Sequence, residues 1–213
     1  MKVNEQAVKN ILASLKDAKL VAATKYVGIE EINELEKLGV KYFGENRVQA
    51  FLEKYDHYQG NQEFHMIGTL QPNKVKYIID KVSMIHSIDS YSLIKEVEKQ
   101  ACKHDLVMPV LIQVNIAKEE SKHGFEVEEI NEVFDYLKTC PHLAIKGLMM
   151  MAPHIDARQT SIYFKQTKEL FEQLKQQYPE YDMSEISMGM SNDYQEALKY
   201  GATMIRVGSA LFE

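Results

Sequence analysis

Short apolar segments alternate with segments of helical period along almost the whole chain, and this alternation constrains the fold more than any other feature. Apolar runs predict eight strands, at residues 20–24, 40–43, 64–67, 82–86, 108–114, 144–149, 185–188 and 203–207. Amphipathic segments predict eight helices, at residues 3–16, 30–38, 46–57, 72–80, 90–103, 126–138, 158–178 and 193–200. Strands that are regularly separated by helices run parallel, because each helix carries the chain back across the sheet.

Eight such units in 213 residues predict an α/β protein in which residues 1–213 form a single-domain (β/α)8 TIM-type barrel. An open doubly wound sheet is the alternative. Almost nothing follows the last predicted strand, whereas a predicted helix precedes the first. We therefore expect the N-terminal helix to take the place of the helix that would follow the eighth strand.

The composition disfavours several classes of partner. The chain has 25 Lys and Arg against 31 Asp and Glu, and its basic residues are scattered, so we expect no nucleic-acid partner. No apolar run approaches the roughly 18 to 20 residues that span a bilayer, so we expect no membrane partner. The two cysteines, Cys102 and Cys140, lack a CxxC spacing, and the first residues lack the apolar core of a signal peptide. We therefore expect a cytoplasmic protein.

Two kinds of binding site are also disfavoured, because the motifs that are typical of them are missing. The seven histidines show neither an HxH nor an HExxH spacing, which argues against a zinc site. The chain contains no P-loop and no GxGxxG motif, which argues against nucleotide and dinucleotide cofactors.

Hydroxyl groups and glycine amides follow the last two predicted strands. Ser187 and Ser191 supply hydroxyls, while Gly208 and Ser209 offer backbone amides that can approach an anion closely. In a parallel barrel the loops after strands seven and eight commonly bind phosphate, so we predict a phosphate site there. Alternatively, the segment Ser191–Asp193 caps the helix that begins near residue 193, with Asp193 at the N-cap position, and the glycines are turns. Helix capping is compatible with phosphate binding.

Two basic residues are placed to complete such a site. Lys25 ends the first predicted strand, where partial desolvation would favour the neutral amine that attacks an aldehyde; the alternative is an ordinary exposed lysine. Arg206 alternates with Ile205 and Val207, so its side chain should point into the barrel. Its acceptor would be a core carboxylate or a pyridine nitrogen. An amine beside a phosphate site suggests pyridoxal 5′-phosphate.

Several motifs together resemble the pyridoxal phosphate homeostasis protein family. They are Ala23–Lys25, Gly44–Asn46, His65–Lys74, Glu120–Gly124, Gly147–Met149, Ser187–Asp193 and Gly201–Gly208. The resemblance implies a barrel of the alanine racemase N-terminal type, with Lys25 as the lysine that forms a Schiff base with pyridoxal 5′-phosphate. It also implies that Arg206 faces the pyridine nitrogen, and that phosphate contacts come from Ser191, Gly208 and Ser209, with Ser187 on the same segment. Asn46 and Lys122 match the motifs without a defined role.

The resemblance also implies a function. The family holds and passes on the cofactor and keeps vitamin B6 and amino-acid pools in balance, without an established enzymatic activity. We therefore expect a non-catalytic, monomeric protein that supplies pyridoxal phosphate-dependent apoenzymes. The alternative is an amino-acid racemase, which needs a second acid–base group besides Lys25, with Tyr26 or Lys122 as candidates. A third interpretation, a scaffold for partner proteins, rests on the apolar residues of the helix at 157–178.

Overall fold

Eight parallel strands close into a barrel in chain order in the computed structural model, which describes residues 1–120 and 123–213. The strands are β1 Lys19–Ala23, β2 Tyr42–Glu45, β3 Glu63–Met66, β4 Met84–Ile88, β5 Met108–Gln113, β6 Leu143–Met149, β7 Glu185–Ser187 and β8 Met204–Val207. Pairing of β1 with both β2 and β8 closes the ring. The predicted (β/α)8 barrel is confirmed, and the open doubly wound alternative is wrong.

Helices surround the barrel between successive strands. The α-helices are α1 Glu5–Ser14, α2 Ile29–Lys37, α3 Val48–Tyr55, α4 Tyr91–Lys103, α5 Ile130–Leu137, α6 Ser161–Gln177 and α7 Tyr194–Lys199. The helix predicted at 72–80 is instead a 3₁₀ helix at Pro72–Tyr77, where Val75 is the buried side chain. So short an apolar face does not require a full α-helix. The helix predicted at 126–138 begins with a 3₁₀ turn at Val127–Glu129 before α5.

Two strands begin two residues later than predicted, at Tyr42 and Met84. Val40 and Val82 are buried, but they precede the strands and fill the outer core. Because these apolar residues precede the strands, both strands were predicted to begin too early. Both strands also extend further than predicted at the C-terminal end, where polar residues such as Glu45 belong to the strand.

The side chains form two apolar layers, one between helices and strands and one inside the barrel. Barrel-interior positions are occupied by Val21, Ile67, Met84, Leu111, Met149 and Met204. Along β8, Ile205 and Val207 pack in the outer layer, whereas Arg206 hydrogen-bonds to Ser187 on β7. The strand alternation thus places a cation inside the barrel near the carboxyl ends of the strands.

The two ends of the chain meet beside β8. Val3 forms an antiparallel bridge with Phe212, and the Asn4 N–H donates to the Leu211 carbonyl at 2.9 Å. The Asn4 side chain accepts a hydrogen bond from the Ala7 N–H at 3.0 Å and so caps α1. Helix α1 therefore lies next to the end of β8, in the position expected for the missing eighth helix. No helix in the described parts of the chain is long and apolar enough to cross a bilayer.

Candidate functional site

A cavity of about 460 Å³ opens at the carboxyl-terminal end of the barrel. All of the sequence-predicted site residues line it except Ser187; they are Lys25, Asn46, Ser191, Arg206, Gly208 and Ser209. Its volume lies within the range of roughly 300 to 1,000 Å³ that is usual for small-molecule sites. The structure therefore brings residues from β1, β2, β7 and β8 to one site, as the barrel topology requires.

Lys25 lies two residues after the end of β1 and is exposed at the cavity. Its Nζ lies 4.6 Å from the centroid of the Tyr26 ring, within the range of a cation–π contact. The partial desolvation that was expected for the Lys25 amine is not found, because the loop after β1 holds the side chain at the surface. The amine is accessible to water and to small molecules.

A buried ion pair anchors the backbone that precedes Lys25. Glu45 is buried; its Oε1 accepts a hydrogen bond from the Thr24 hydroxyl and lies 2.8 Å from the Lys54 Nζ. Lys54 also donates to the Thr24 carbonyl. These contacts tie β1, β2 and α3 together at the residue before Lys25, which fixes the point from which the lysine side chain extends.

Arg206 is 5 % exposed and lies at the floor of the cavity. Its Nη1 donates to the Ser187 Oγ at 2.6 Å, and its Nη2 donates to the Met150 carbonyl at 2.9 Å. Burial lowers the pKa of Arg206 to about 10, opposed by the charge of Asp193, so the guanidinium is still protonated at neutral pH. Among the described residues, the two hydrogen-bond acceptors of Arg206 are therefore a hydroxyl and a carbonyl, while the carboxylate of Asp193 acts on it through charge.

Ser187 lies beneath the cavity and does not line it. Its side chain is fully buried, and its hydroxyl lies between the Arg206 guanidinium and the Nδ1 of His86, 2.9 Å away. The structure thus places Ser187 as a partner of Arg206. Direct contact between Ser187 and a ligand stays a prediction.

Ser191 is held against the turn that follows β8. Its Oγ accepts hydrogen bonds from the Gly208 N–H at 3.2 Å and from the Ala210 N–H at 3.4 Å. Asp193 stands at the N-cap position of α7, as predicted, but its carboxylate accepts from the Met190 N–H at 2.7 Å. The loops after β7 and β8 are therefore joined through a serine hydroxyl and backbone amides.

Gly189 allows the loop after β7 to turn so tightly. Its φ of +93° is one that residues with a side chain rarely adopt. A Cβ at this position would also lie 2.6 Å from the Cβ of Ala197 on α7. Glycine here lets α7 approach the strand end and sets the position of Ser191.

Asn46 contributes an acceptor that has no hydrogen-bond partner among the described residues. Its Oδ1 is buried, although the residue lines the cavity. The chain after β3 passes close by, since a Cβ on Gly68 would lie 2.3 Å from the Asn46 carbonyl oxygen. An unpaired buried acceptor costs about 1 to 3 kcal/mol, so Asn46 is suited to receive a donor from a bound molecule.

Sequence reasoning missed several cavity residues. They are Met1, Met151, Pro153, His154, Ile155 and Phe212. The contribution of the loop after β6 to the cavity could have been predicted, because this loop opens on the same face as the other carboxyl-terminal loops. The chain ends could not, because their meeting depends on the tertiary fold. Lys122, which was proposed as an acid–base group, lies outside the described residues.

Two buried histidines were also missed. The Nδ1 of His65 lies 2.9 Å from the Nε2 of His86, and His86 contacts Ser187. Both histidines sit at inward-facing positions of β3 and β4, so the alternation along those strands was the available signal. No group of His, Cys, Asp or Glu in the described parts of the chain could hold a metal ion.

Comparison with known proteins assigns the family. The model of the alanine racemase N-terminal domain matches residues 1–213. A pyridoxal phosphate homeostasis protein from Aquifex aeolicus is 42 % identical over 197 residues, which cover 92 % of this chain and 86 % of the relative. This chain belongs to the pyridoxal phosphate homeostasis protein family. A family member from Haemophilus influenzae is 35 % identical over 212 residues and is covered to 90 % of its length.

Solved structures agree with this assignment. PipY of Synechococcus elongatus, in its structure with pyridoxal phosphate bound, superposes with a TM-score of 0.88 at 31 % identity; the match covers 97 % of this chain and all of PipY. An alanine racemase from Clostridium difficile gives a TM-score of 0.77 at 15 % identity, with 99 % of this chain and 57 % of the racemase covered. The latter similarity shows the barrel fold alone.

Proposed function

We propose that this protein binds pyridoxal 5′-phosphate as a Schiff base on Lys25 and acts without catalysis in vitamin B6 homeostasis and cofactor supply. In this role residues 1–213 form one cofactor-binding domain, and effects on amino-acid pools are indirect. The observation that carries the proposal is that the Lys25 amine, just after β1, and the Arg206 guanidinium, on the adjacent strand β8, line the same cavity. The family names and the PipY structure with the cofactor support it.

The residues around the cavity fit the cofactor's groups. A phosphate would be held by the hydroxyl of Ser191 and by the backbone amides of Gly208 and Ser209. The bonds from Gly208 and Ala210 to the Ser191 Oγ, at 3.2 and 3.4 Å, are long ones that a phosphate oxygen, as a charged acceptor, would replace. The unpaired Oδ1 of Asn46 offers an acceptor on another wall of the same cavity.

Arg206 favours storage over turnover. A protonated guanidinium can only donate, so a pyridine nitrogen facing it would accept a hydrogen bond and stay unprotonated. Such a ring is a weak electron sink. Since the pKa of Arg206 is lowered only to about 10, the residue keeps this role throughout the neutral range.

The exposure of Lys25 suits reversible loading. The aldehyde of pyridoxal phosphate condenses with a primary amine and releases one water molecule, and hydrolysis reverses the reaction. Because Lys25 lies at the cavity mouth, water and competing amines can reach it. We propose pyridoxal phosphate-dependent apoenzymes as the recipients, with the protein acting as a monomer in the cytoplasm.

The test of the proposal is the location of the bound cofactor. Reduction with borohydride followed by peptide mass mapping should find one reduced pyridoxal phosphate on Lys25, and none after Lys25→Ala. A label on another lysine, or no label, would remove the proposal.

A second assay distinguishes the proposed non-catalytic function from the racemase alternative. That reaction needs an acid–base group besides Lys25, and the described candidate is Tyr26, whose ring lies beside the Lys25 Nζ. The loaded protein should yield no D-isomer from a panel of L-amino acids. Appearance of a D-isomer that is lost in Tyr26→Phe would replace the storage function by catalysis.

A further inference from the structure

A chain of polar side chains crosses the barrel interior from the cavity floor toward the opposite end. It begins with the Arg206 Nη1, 2.6 Å from the Ser187 Oγ, which lies 2.9 Å from the His86 Nδ1. It continues from the His86 Nε2 to the His65 Nδ1 at 2.9 Å, and the His65 Nε2 lies 3.6 Å from a carboxylate oxygen of Glu63. The first four members are buried, whereas the Glu63 side chain is 54 % exposed.

The two end members of this chain of polar side chains determine the direction of the hydrogen bonds between them. Arg206 can only donate and the Glu63 carboxylate can only accept. When His65 is neutral and carries its proton on the Nε2 that faces Glu63, its Nδ1 must accept from the His86 Nε2–H. The His86 Nδ1 then accepts the Ser187 hydroxyl proton, and the Ser187 oxygen accepts from Arg206. In this arrangement each donor along the chain has an acceptor.

The surroundings of His86 support the neutral form that this arrangement requires. Burial holds the pKa of His86 well below its usual range, and the charge of Arg206 lowers it further. At the other end, the contact with His65 lowers the pKa of Glu63, although burial opposes this, so Glu63 is a carboxylate at neutral pH. Both ends of the chain therefore keep their charges over the same pH range.

We propose that Ser187, His86 and His65 are positioning residues whose one-way hydrogen bonds fix the Arg206 guanidinium at the floor of the cofactor cavity. The inference rests on the proposed function for the identity of the cofactor. Ser187 supplies the acceptor, and His86 holds the Ser187 hydroxyl so that its lone pair faces Arg206. Loss of His86 would let the Ser187 hydroxyl proton rotate toward Arg206, and the guanidinium would then lose the acceptor that fixes it.

The protein without added cofactor provides the first test. Long-range ¹H–¹⁵N spectra distinguish the two neutral forms of each histidine. We expect both His65 and His86 to carry their proton on Nε2 at pH 7.5, with His86 remaining neutral down to pH 6. A proton on the Nδ1 of His86 would reverse the chain and overturn the proposal.

Cofactor affinity provides the second test. His86→Leu should weaken pyridoxal phosphate binding about fivefold to tenfold while the reduced adduct still forms on Lys25. The matched control is His142→Leu, because the His142 Nδ1 lies 2.8 Å from the Glu98 Oε1 in a separate histidine–carboxylate pair. Equal affinities for His86→Leu and His142→Leu would show that the chain is only structural.

The two tests distinguish failure of this inference from failure of the proposed function. If the wild type takes up no pyridoxal phosphate, the proposed function fails, whatever the histidine spectra show. If the wild type binds the cofactor but the spectra or the His86→Leu affinity contradict the expectation, only the positioning role fails. Should His86→Leu not fold, Ser187→Ala replaces it, with the same expected loss of affinity.

Discussion

The ammonium nitrogen of Lys54 lies 2.8 Å from the buried carboxylate of Glu45 and also donates to the carbonyl of Thr24, one residue before Lys25. The second carboxylate oxygen of Glu45 is buried and has no hydrogen-bond partner in the part of the chain that the structure describes. The strand end that carries Lys25 is thus fixed by one charge pair inside the protein. Such a pair is sensitive to the loss of either partner, because the remaining charge stays buried.

Removal of the Lys54 charge should therefore destabilise the fold strongly. We expect Lys54→Met to lower the free energy of unfolding by about 3 kcal/mol, measured by urea denaturation at pH 7.5, because Glu45 is left uncompensated. The control is Lys138→Met, which removes exposed ion pairs with Asp135 and Glu180 and should cost much less stability. Similar losses in the two variants would contradict the anchoring role of the Glu45–Lys54 pair.

Gly189 should tolerate no side chain. Gly189→Ala introduces a Cβ at φ +93° and 2.6 Å from the Ala197 Cβ, so we expect a loss of about 2 to 4 kcal/mol in unfolding free energy. Pyridoxal phosphate affinity should fall as well, because Ser191 is displaced. Gly201→Ala is the matched control, since Gly201 has a similar φ of +91° but meets only the flexible Lys168 side chain. The prediction fails if Gly201→Ala costs as much stability and affinity.

The burial of neutral His86 should make stability depend on pH. In the unfolded chain this imidazole takes up a proton near its ordinary pKa of 6.5, whereas in the folded protein burial holds the pKa well below that value. The unfolded state therefore binds more protons below pH 6.5. The contribution of His86 to stability is complete above pH 6.5 and is lost as the pH falls, by up to about 1.4 kcal/mol per pH unit.

The measurement is the unfolding free energy of wild type and His86→Leu between pH 7.5 and 5.5. The variant should show a shallower decline, because it has lost one group that protonates only on unfolding. Parallel curves for the two proteins would show that His86 takes up its proton at the same pH in the folded and unfolded states, which would contradict the prediction.

The Tyr26 ring should compete with the cavity for the Lys25 amine. Tyr26 is 75 % exposed, and its ring lies 4.6 Å from the Lys25 Nζ. A cation–π contact at an exposed site is worth about 0.5 to 1 kcal/mol. Tyr26→Leu should therefore tighten pyridoxal phosphate binding about twofold to fivefold in a spectroscopic titration. Tyr26→Phe keeps the ring and should bind like the wild type; tightening in both variants would assign the effect to the hydroxyl.

Much of the fold could be predicted from the sequence, because it is encoded in local periodicity. The alternation of apolar and amphipathic segments predicted all eight strands and the barrel, and the neighbours of Arg206 predicted that it points inward. The predicted strand ends were less accurate where a polar residue, such as Glu45, belongs to the strand. The 3₁₀ helix at Pro72–Tyr77 was read as an α-helix, since its apolar positions fit either form.

The site could be predicted only as far as the loops that follow strand ends. Barrel topology predicts that those loops meet, which is why Lys25, Ser191 and Gly208 were found. The contacts of Ser187 could not be read in the same way, because its partner His86 is 101 residues away on another strand. Such contacts depend on strand register, and the pairing of β4 with β5 contains a shift that no local pattern reveals.

The absorbance spectrum of the protein with added pyridoxal phosphate tests the central claim most directly. Wild type and Lys165→Ala, which removes an exposed lysine on α6, should show the same Schiff-base band. Lys25→Ala should lack the band under identical conditions while remaining folded. A band of equal intensity in Lys25→Ala, or no band in the wild type, would contradict the assignment of Lys25 as the residue that holds the cofactor.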